Sequence, residues 1–159
     1  MKSPLKIISF KEAYANAFYQ LNIEWLETFF YVEDFDREVL SNPNKYIIEK
    51  GGHIFFLFEN TMIIGTVALM KKKEKVYELT KMAIIPEKRG KNMGQYLMDY
   101  CIDFAKIKQL KKLVLYSNTL LENAIHIYIK KGFKEIPVEK NCPYKRSNIK
   151  MELQLIDKN

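Results

Sequence analysis

Apolar positions change their spacing several times along the chain, and each change marks an element. Residues 5–10 form a short apolar run suited to a strand. Tyr14, Phe18, Leu21, Trp25 and Phe29 then recur at intervals of three and four, which sets them on one face of a long amphipathic helix. Residues 36–40 fit a second short helix, ended by the turn signal Ser41-Asn42-Pro43-Asn44. Gly51-Gly52 opens a strand over 53–58, and Glu59-Asn60 separates it from another over 62–70, the pattern of an antiparallel hairpin. A lysine-rich turn over 71–75 leads into a strand over 76–85, stopped by Pro86, which has no amide proton for a ladder.

In the second half, Met93, Leu97, Tyr100, Cys101 and Phe104 share one helical face while Lys91, Asp99, Asp103 and Lys106 lie elsewhere, so this helix packs on a sheet. Residues 113–116 make a short buried strand. Thr119 and Glu122 have the spacing of a capping box for a helix carrying Ala124, Ile127 and Tyr128, and Gly132 ends that helix as a left-handed residue. Strands over 133–138 and 147–156 flank a polar loop with Cys142, Pro143 and Tyr144. Hairpins thus combine with a strand-helix-strand crossover, which predicts a mixed α/β (α+β) sheet. No repeat, low-complexity tract or linker interrupts the order, and one domain over 1–159 is expected.

Composition narrows the function classes. With 159 residues, 48% of them apolar, the chain can bury a sizeable core without staples. No apolar stretch approaches the roughly 18 residues of a membrane helix, and the charged N-terminal stretch carries no secretory signal. A cytoplasmic protein with no membrane partner is expected. The two cysteines, Cys101 and Cys142, and the two histidines, His53 and His126, show no ligand spacing, so neither a disulfide framework nor a metal is implied. The net charge of +7 is spread along the chain, and no helix-turn-helix, zinc finger or RNA-binding aromatic motif accompanies it, so nucleic acid is not the expected partner.

Chemistry concentrates where the strand over 76–85 turns into the next helix. A helix N-terminus offers free amides and the positive end of a dipole, which suit an anion. Gly90 and Gly94 leave the backbone approachable, and Arg89 and Lys91 add charge. A pyrophosphate site and a solvated basic turn are both consistent with this stretch alone. It is neither a P-loop nor a dinucleotide fingerprint.

The run Arg89-Gly90-Lys91-Asn92-Met93-Gly94 resembles the R/Q-x-x-G-x-G/A acetyl-CoA signature of the GNAT superfamily of N-acetyltransferases. The segment from Ala124 to Phe133 resembles that family's A-x-x-x-Y-x-K-x-G-F motif. The resemblance spans nearly the whole chain, with two departures. Asn92 stands at the first signature glycine, where Asn still tolerates left-handed backbone angles. Leu121 stands where many members have asparagine, leaving Asn118 as the substitute. The resemblance implies a central, mostly antiparallel sheet of about seven strands, with a splayed parallel central pair and about four flanking helices. It implies acetyl-CoA as acyl donor, with contacts from Met82, Ala83, Ile84, Arg89, Gly90, Lys91, Asn92, Met93, Gly94, Gln95, Asn118 and Lys131. The acceptor it implies is a small-molecule amine or amino acid. A protein N-terminal or lysine acetyltransferase, and a non-catalytic acetyl-CoA sensor, are the alternatives within the fold, and a homodimer is compatible with it.

An alkyl ammonium has a pKa of about 10.4, so exposing its lone pair at neutral pH costs roughly 4–5 kcal/mol unless a base takes the proton. Glu78 lies in an otherwise mostly apolar strand where burial favours its basic role. In several members of the family a glutamate on this strand is the base, commonly through water; a structural carboxylate is the other reading. Tyr128 resembles the family tyrosine that protonates the departing thiolate, and it is otherwise a core aromatic. Glu33, Tyr144 and Arg146 are expected on the acceptor side, with Asp34 and Asp36 nearby, Arg146 suiting a carboxylate and the acids a cation.

Overall fold

The alternation of β2 (His53–Glu59) organises the molecule: Phe55 and Leu57 point to one side of the sheet, Ile54, Phe56 and Phe58 to the other, and all are buried. A strand covered on both faces reads as a continuous apolar run. The computed structural model describes residues 4–156; residues 1–3 and 157–159 of the expected span lie outside the described residues. The remaining elements are β1 (Leu5–Ser9), α1 (Ala15–Phe29), α2 (Asp34–Ser41), β3 (Met62–Lys73), β4 (Val76–Ile84), α3 (Met93–Ile107), β5 (Lys112–Ser117), α4 (Glu122–Lys130), β6 (Lys134–Ile136) and β7 (Ile149–Gln154). The sheet order is β1-β2-β3-β4-β5-β7-β6, antiparallel except for β4 beside β5. This is the mixed seven-strand sheet with one parallel pair that the resemblance implies.

Two cores result. On one face Phe55, Leu57, Leu69 and Leu79 meet Leu97, Met98 and Cys101 of α3. On the other, Phe18 and Leu26 of α1 and Val39 and Leu40 of α2 cover Ile54, Phe56 and Ala68. Each large apolar side chain buried this way contributes about 1.5–3 kcal/mol.

Several boundaries differ from the sequence reading, for physical reasons. β3 continues through the exposed lysines to Lys73, because hairpin pairing with β4 needs no apolar side chain, and the turn shrinks to Glu74 and Lys75, with Lys75 at φ 62°. α2 starts at Asp34, where Glu33 and Asp36 form a reciprocal capping box. After Pro43 the chain enters a π-helical turn, Asn44–Ile48, about which the turn signal said nothing. The Thr119–Glu122 capping box does not form. The N-cap is Leu121, and the Thr119 hydroxyl instead accepts a hydrogen bond from Asn148 Nδ2 at 3.1 Å. Gly132, at φ 105°, does close α4: Phe133 N donates to Tyr128 O and Gly132 N to Ile129 O, both at 3.0 Å, a Schellman closure. The periodic face of α1 divides. Phe18 is buried and Tyr14 and Trp25 pack partly buried against the second core, whereas Phe29 is 43% exposed. Trp25 and Phe29 also line a cavity, and the buried positions include Asn22 and Leu26, off the expected stripe.

Candidate active site

β4 and β5 hydrogen-bond only over residues 76–78 and 112–114. Beyond that point β4 stays with β3 and β5 stays with β7, so the facing edge of β4 has no strand partner. Backbone groups left so are available to an extended ligand. A cavity of about 1000 Å³ opens in the gap, at the top of the usual range for small-molecule sites. A bulge bends the strand there: Thr66 pairs with Ala83 and Ala68 with Thr80, leaving Lys81 and Met82 opposite Val67. Lys81 takes φ 56°, a region that costs L-residues roughly 1–2 kcal/mol.

One end of the cavity is the turn into α3. Gly90 (φ 75°) and Asn92 (φ 66°) are both left-handed. A Cβ at Gly90 would meet nothing within 4 Å, so the glycine serves the backbone angle and an open approach. The first amide bonded within α3 is that of Tyr96, donating to Asn92 O at 3.0 Å. Among the described residues, no side chain caps the amides of Met93, Gly94 and Gln95, and no carbonyl reaches them. These groups fit a diphosphate. Met82, Ala83, Ile84, Arg89, Gly90, Asn92, Met93, Gly94, Gln95 and Asn118 all line the cavity, whereas Lys91 and Lys131 do not. Lys131 pairs with Asp99 of α3 at 2.8 Å. Asn118 spends its amide on the loop, donating to Arg146 O at 2.7 Å and accepting from Leu120 N at 2.9 Å. Arg89 reaches across to α1, where its guanidinium pairs with Glu24 and lies over the Phe29 ring at 5.1 Å, leaving Nε buried and without an acceptor.

The other end is a linked set of buried charges. Arg146 donates to Glu33 Oε2 at 2.8 Å and to both oxygens of Asp36. Lys81 is 3.6 Å from Asp36 Oδ1 and donates to Tyr144 Oη at 3.3 Å; Tyr144 Oη donates to Glu78 Oε2 at 2.9 Å. Glu78 also faces Lys72 Nζ at 3.5 Å. Burial works to raise the Asp36 carboxyl, but the Arg146 hydrogen bonds and the nearby Lys81 charge hold it below the usual range. Burial lowers the Lys81 ammonium, and burial together with the Glu78 charge pushes the Tyr144 phenol well up. Lys81, Asp36, Tyr144 and Arg146 line the cavity; Glu78, 1% exposed, does not. The sequence reading thus placed Glu33, Tyr144 and Arg146 in one region and the structure ties them to one another, with Arg146 already engaged by two carboxylates.

Tyr128 lies on the cavity wall between the two ends and packs edge-on against Phe133 at 6.0 Å. Burial raises its phenol, and among the described residues its hydroxyl has no hydrogen-bond partner. Lys81 and the aromatic wall of Trp25, Phe29 and Phe30 were not singled out from the sequence. The signal for Lys81 was the one that flagged Glu78: a charged residue inside an apolar strand.

Residues 50–135, just over half the chain, match the family described as acetyltransferase (GNAT) domain. No curated protein sequence matches the chain. Among solved structures the chain is similar to a GNAT-family acetyltransferase from Staphylococcus aureus Mu50, with TM-score 0.83 and 19% identity over 96% of this chain and 100% of that one. It is also similar to an Escherichia coli N-acetyltransferase named for an alanine of a ribosomal protein, with TM-score 0.77 and 19% identity over 98% and 97%. A third likeness is to spermidine N-acetyltransferase from Vibrio cholerae in complex with CoA and spermine, with TM-score 0.73 and 22% identity over 97% of each chain.

Proposed function

Because the chain belongs to the GNAT acetyltransferase family and is therefore an acyltransferase, we propose that it moves the acetyl group of acetyl-CoA to a primary amine of a small molecule or amino acid, by direct attack in a ternary complex. The observation carrying this is the single cavity that joins the free amides of α3, through the gap between β4 and β5, to a charged and aromatic end. Acetyl-CoA, when bound, supplies an activated thioester carbonyl.

The chain's own groups divide the remaining work. The amides of Met93, Gly94 and Gln95, with the loop through Gly90 and Asn92, hold the diphosphate, and the β4 edge at Met82, Ala83 and Ile84 holds the pantetheine arm and offers an amide to the thioester oxygen. Glu78 is the final acceptor of the amine proton. Tyr128, keeping its proton at neutral pH, donates it to the departing thiolate. Trp25, Phe29 and Phe30 line the same cavity, Phe29 beside Arg89, and their apolar surface keeps water from the reacting groups.

The test is release of free thiol from acetyl-CoA with spermidine, with free amino acids, and with a short peptide carrying an N-terminal alanine, beside calorimetry with CoA. Release that depends on one of the small amines is the expected result. Release with the peptide alone moves the acceptor to proteins, and tight CoA binding without release to any amine makes the chain a sensor. Absence of CoA affinity overturns the enzyme.

A further inference from the structure

Glu78, the carboxylate assigned above as the final proton acceptor, is not on the cavity wall, and the residues between it and the cavity form an unbroken hydrogen-bonded line. Lys81 Nζ donates to Tyr144 Oη at 3.3 Å, and Tyr144 Oη donates to Glu78 Oε2 at 2.9 Å. Lys81 and Tyr144 line the cavity. We propose that Lys81 is a catalytic residue: its amino group takes the proton from the acceptor ammonium and passes one of its own through Tyr144 to Glu78. This rests on the acetyl-transfer reading above and replaces a bridging water with side chains of the protein.

The step balances. Tyr144 gives its hydroxyl proton to Glu78 Oε2, the Lys81 ammonium gives one N–H proton to Tyr144 Oη, and the Lys81 lone pair so freed takes one proton from the acceptor ammonium. The acceptor ends as a free amine, Lys81 and Tyr144 end as they began, and Glu78 ends as a carboxylic acid.

Lys81 rests as the ammonium that Asp36 faces and gives up a proton only in passing, which its burial makes easier. Its side chain is 4% exposed. From α2 it faces Asp36 at ion-pair distance, 3.6 Å, a carboxylate that also receives Arg146 on both oxygens and the Glu33 amide at 3.0 Å. From the loop ahead of β7 it faces Tyr144 and the Arg146 cation, and from its own strand Glu78, which Lys72 of β3 also faces. Phe35 and Tyr144 present ring faces at 5.9 and 4.6 Å, which attract the ammonium and hold it at the cavity wall. Burial lowers the ammonium first, and Arg146 lowers it further against the pull of Glu78 and Asp36. The left-handed φ of Lys81 on the bulge is the kind of local strain that persists where a side chain must be aimed.

Two variants separate a proton carrier from a counter-ion for Asp36. Lys81→Met removes both roles, whereas Lys81→Arg keeps the positive charge and cannot lose its proton. Both are compared with the wild type over pH 6.5–10 by thiol release, using whichever of spermidine, amino acid or peptide the wild type acetylates, with CoA calorimetry and thermal melts on each. The expected result is a loss of about 100-fold at pH 7 in both variants, with unchanged CoA affinity and recovery toward the wild-type rate near pH 10, where the acceptor loses its own proton. A Lys81→Arg enzyme with the wild-type rate and pH profile overturns the proposal, as does an equal loss at every pH. If Lys81→Met fails to fold, Lys81→Arg decides alone. A wild type that binds CoA and acetylates nothing removes the reaction itself, an outcome distinct from failure of the proton path.

Discussion

Tyr128 lies on α4 with its ring against Phe133 and its hydroxyl bonded to no described residue. A phenol that only packs is replaced by Phe at little cost, whereas one that protonates a thiolate is not. Tyr128→Phe is therefore expected to melt within a degree or two of the wild type while kcat falls about 100-fold. A variant that turns over at the wild-type rate returns Tyr128 to the packing of α4. The same residue shows what the sequence can carry at this scale. Tyr128 and Glu78 were legible because each stands at a marked place, one in a motif and the other as a charge in an apolar strand. Lys81, three residues from Glu78, carried the same mark. Its partners were hidden because Asp36 and Tyr144 lie 45 and 63 residues away along the chain, and no local pattern brings them together.

Among the elements, the turn into α3 sets the geometry of the cofactor end. Asn92 holds φ 66° with its side chain accepting from Gln95 Nε2 at 3.2 Å. If the left-handed angle is what the position supplies, Asn92→Gly keeps CoA affinity, and Asn92→Ala costs about 1 kcal/mol of stability and weakens CoA several-fold by calorimetry. An Asn92→Gly variant that binds CoA as poorly as Asn92→Ala would show instead that the side chain matters. Across the cavity, Glu24 of α1 occupies Arg89, the guanidinium that the signature assigns to the phosphates, and burial works to raise the Glu24 carboxyl but is outweighed by Arg89 and the Thr28 hydroxyl. Glu24→Gln should release Arg89 and tighten CoA several-fold at low salt, a gain that fades as salt rises. Unchanged affinity would mean that Arg89 stays on α1 when the cofactor enters. Element order was readable from periodicity together with the Gly, Pro and Asn turn signals. The α1 face misled because a stripe of aromatics at helical spacing looks the same whether it meets a core, as Phe18 does, a cavity, as Phe29 does, or both, as Trp25 does.

At the scale of the molecule, the buried charges join parts of the fold that share no backbone pairing. Asp36 belongs to α2, Lys81 to β4, and Arg146 to the loop ahead of β7, so the cluster closes one end of the cavity by holding three separate segments together. Such a cluster stabilises only while every member is matched, and breaking one buried pair typically costs about 3–5 kcal/mol, because the partner is left charged and dry. Asp36→Asn keeps the shape but leaves Arg146 with Glu33 alone, and a loss of that order is expected in denaturant melts. The pH dependence follows from the direction of the Asp36 shift. Its folded pKa lies below the ordinary value of about 3.9, so its contribution is complete above that pH and is lost as acid protonates it through the lower folded value. Glu24 and Glu139 are shifted the same way, but Glu24 and Glu139 are 42% and 38% exposed, so solvent screens their share. The wild type should therefore lose thermal stability steeply below about pH 4, and Asp36→Asn, already without the interaction, should lose less over the same range. Melts from pH 3 to 7 that fall in parallel for the two proteins would mean that acid breaks the fold somewhere other than at this cluster.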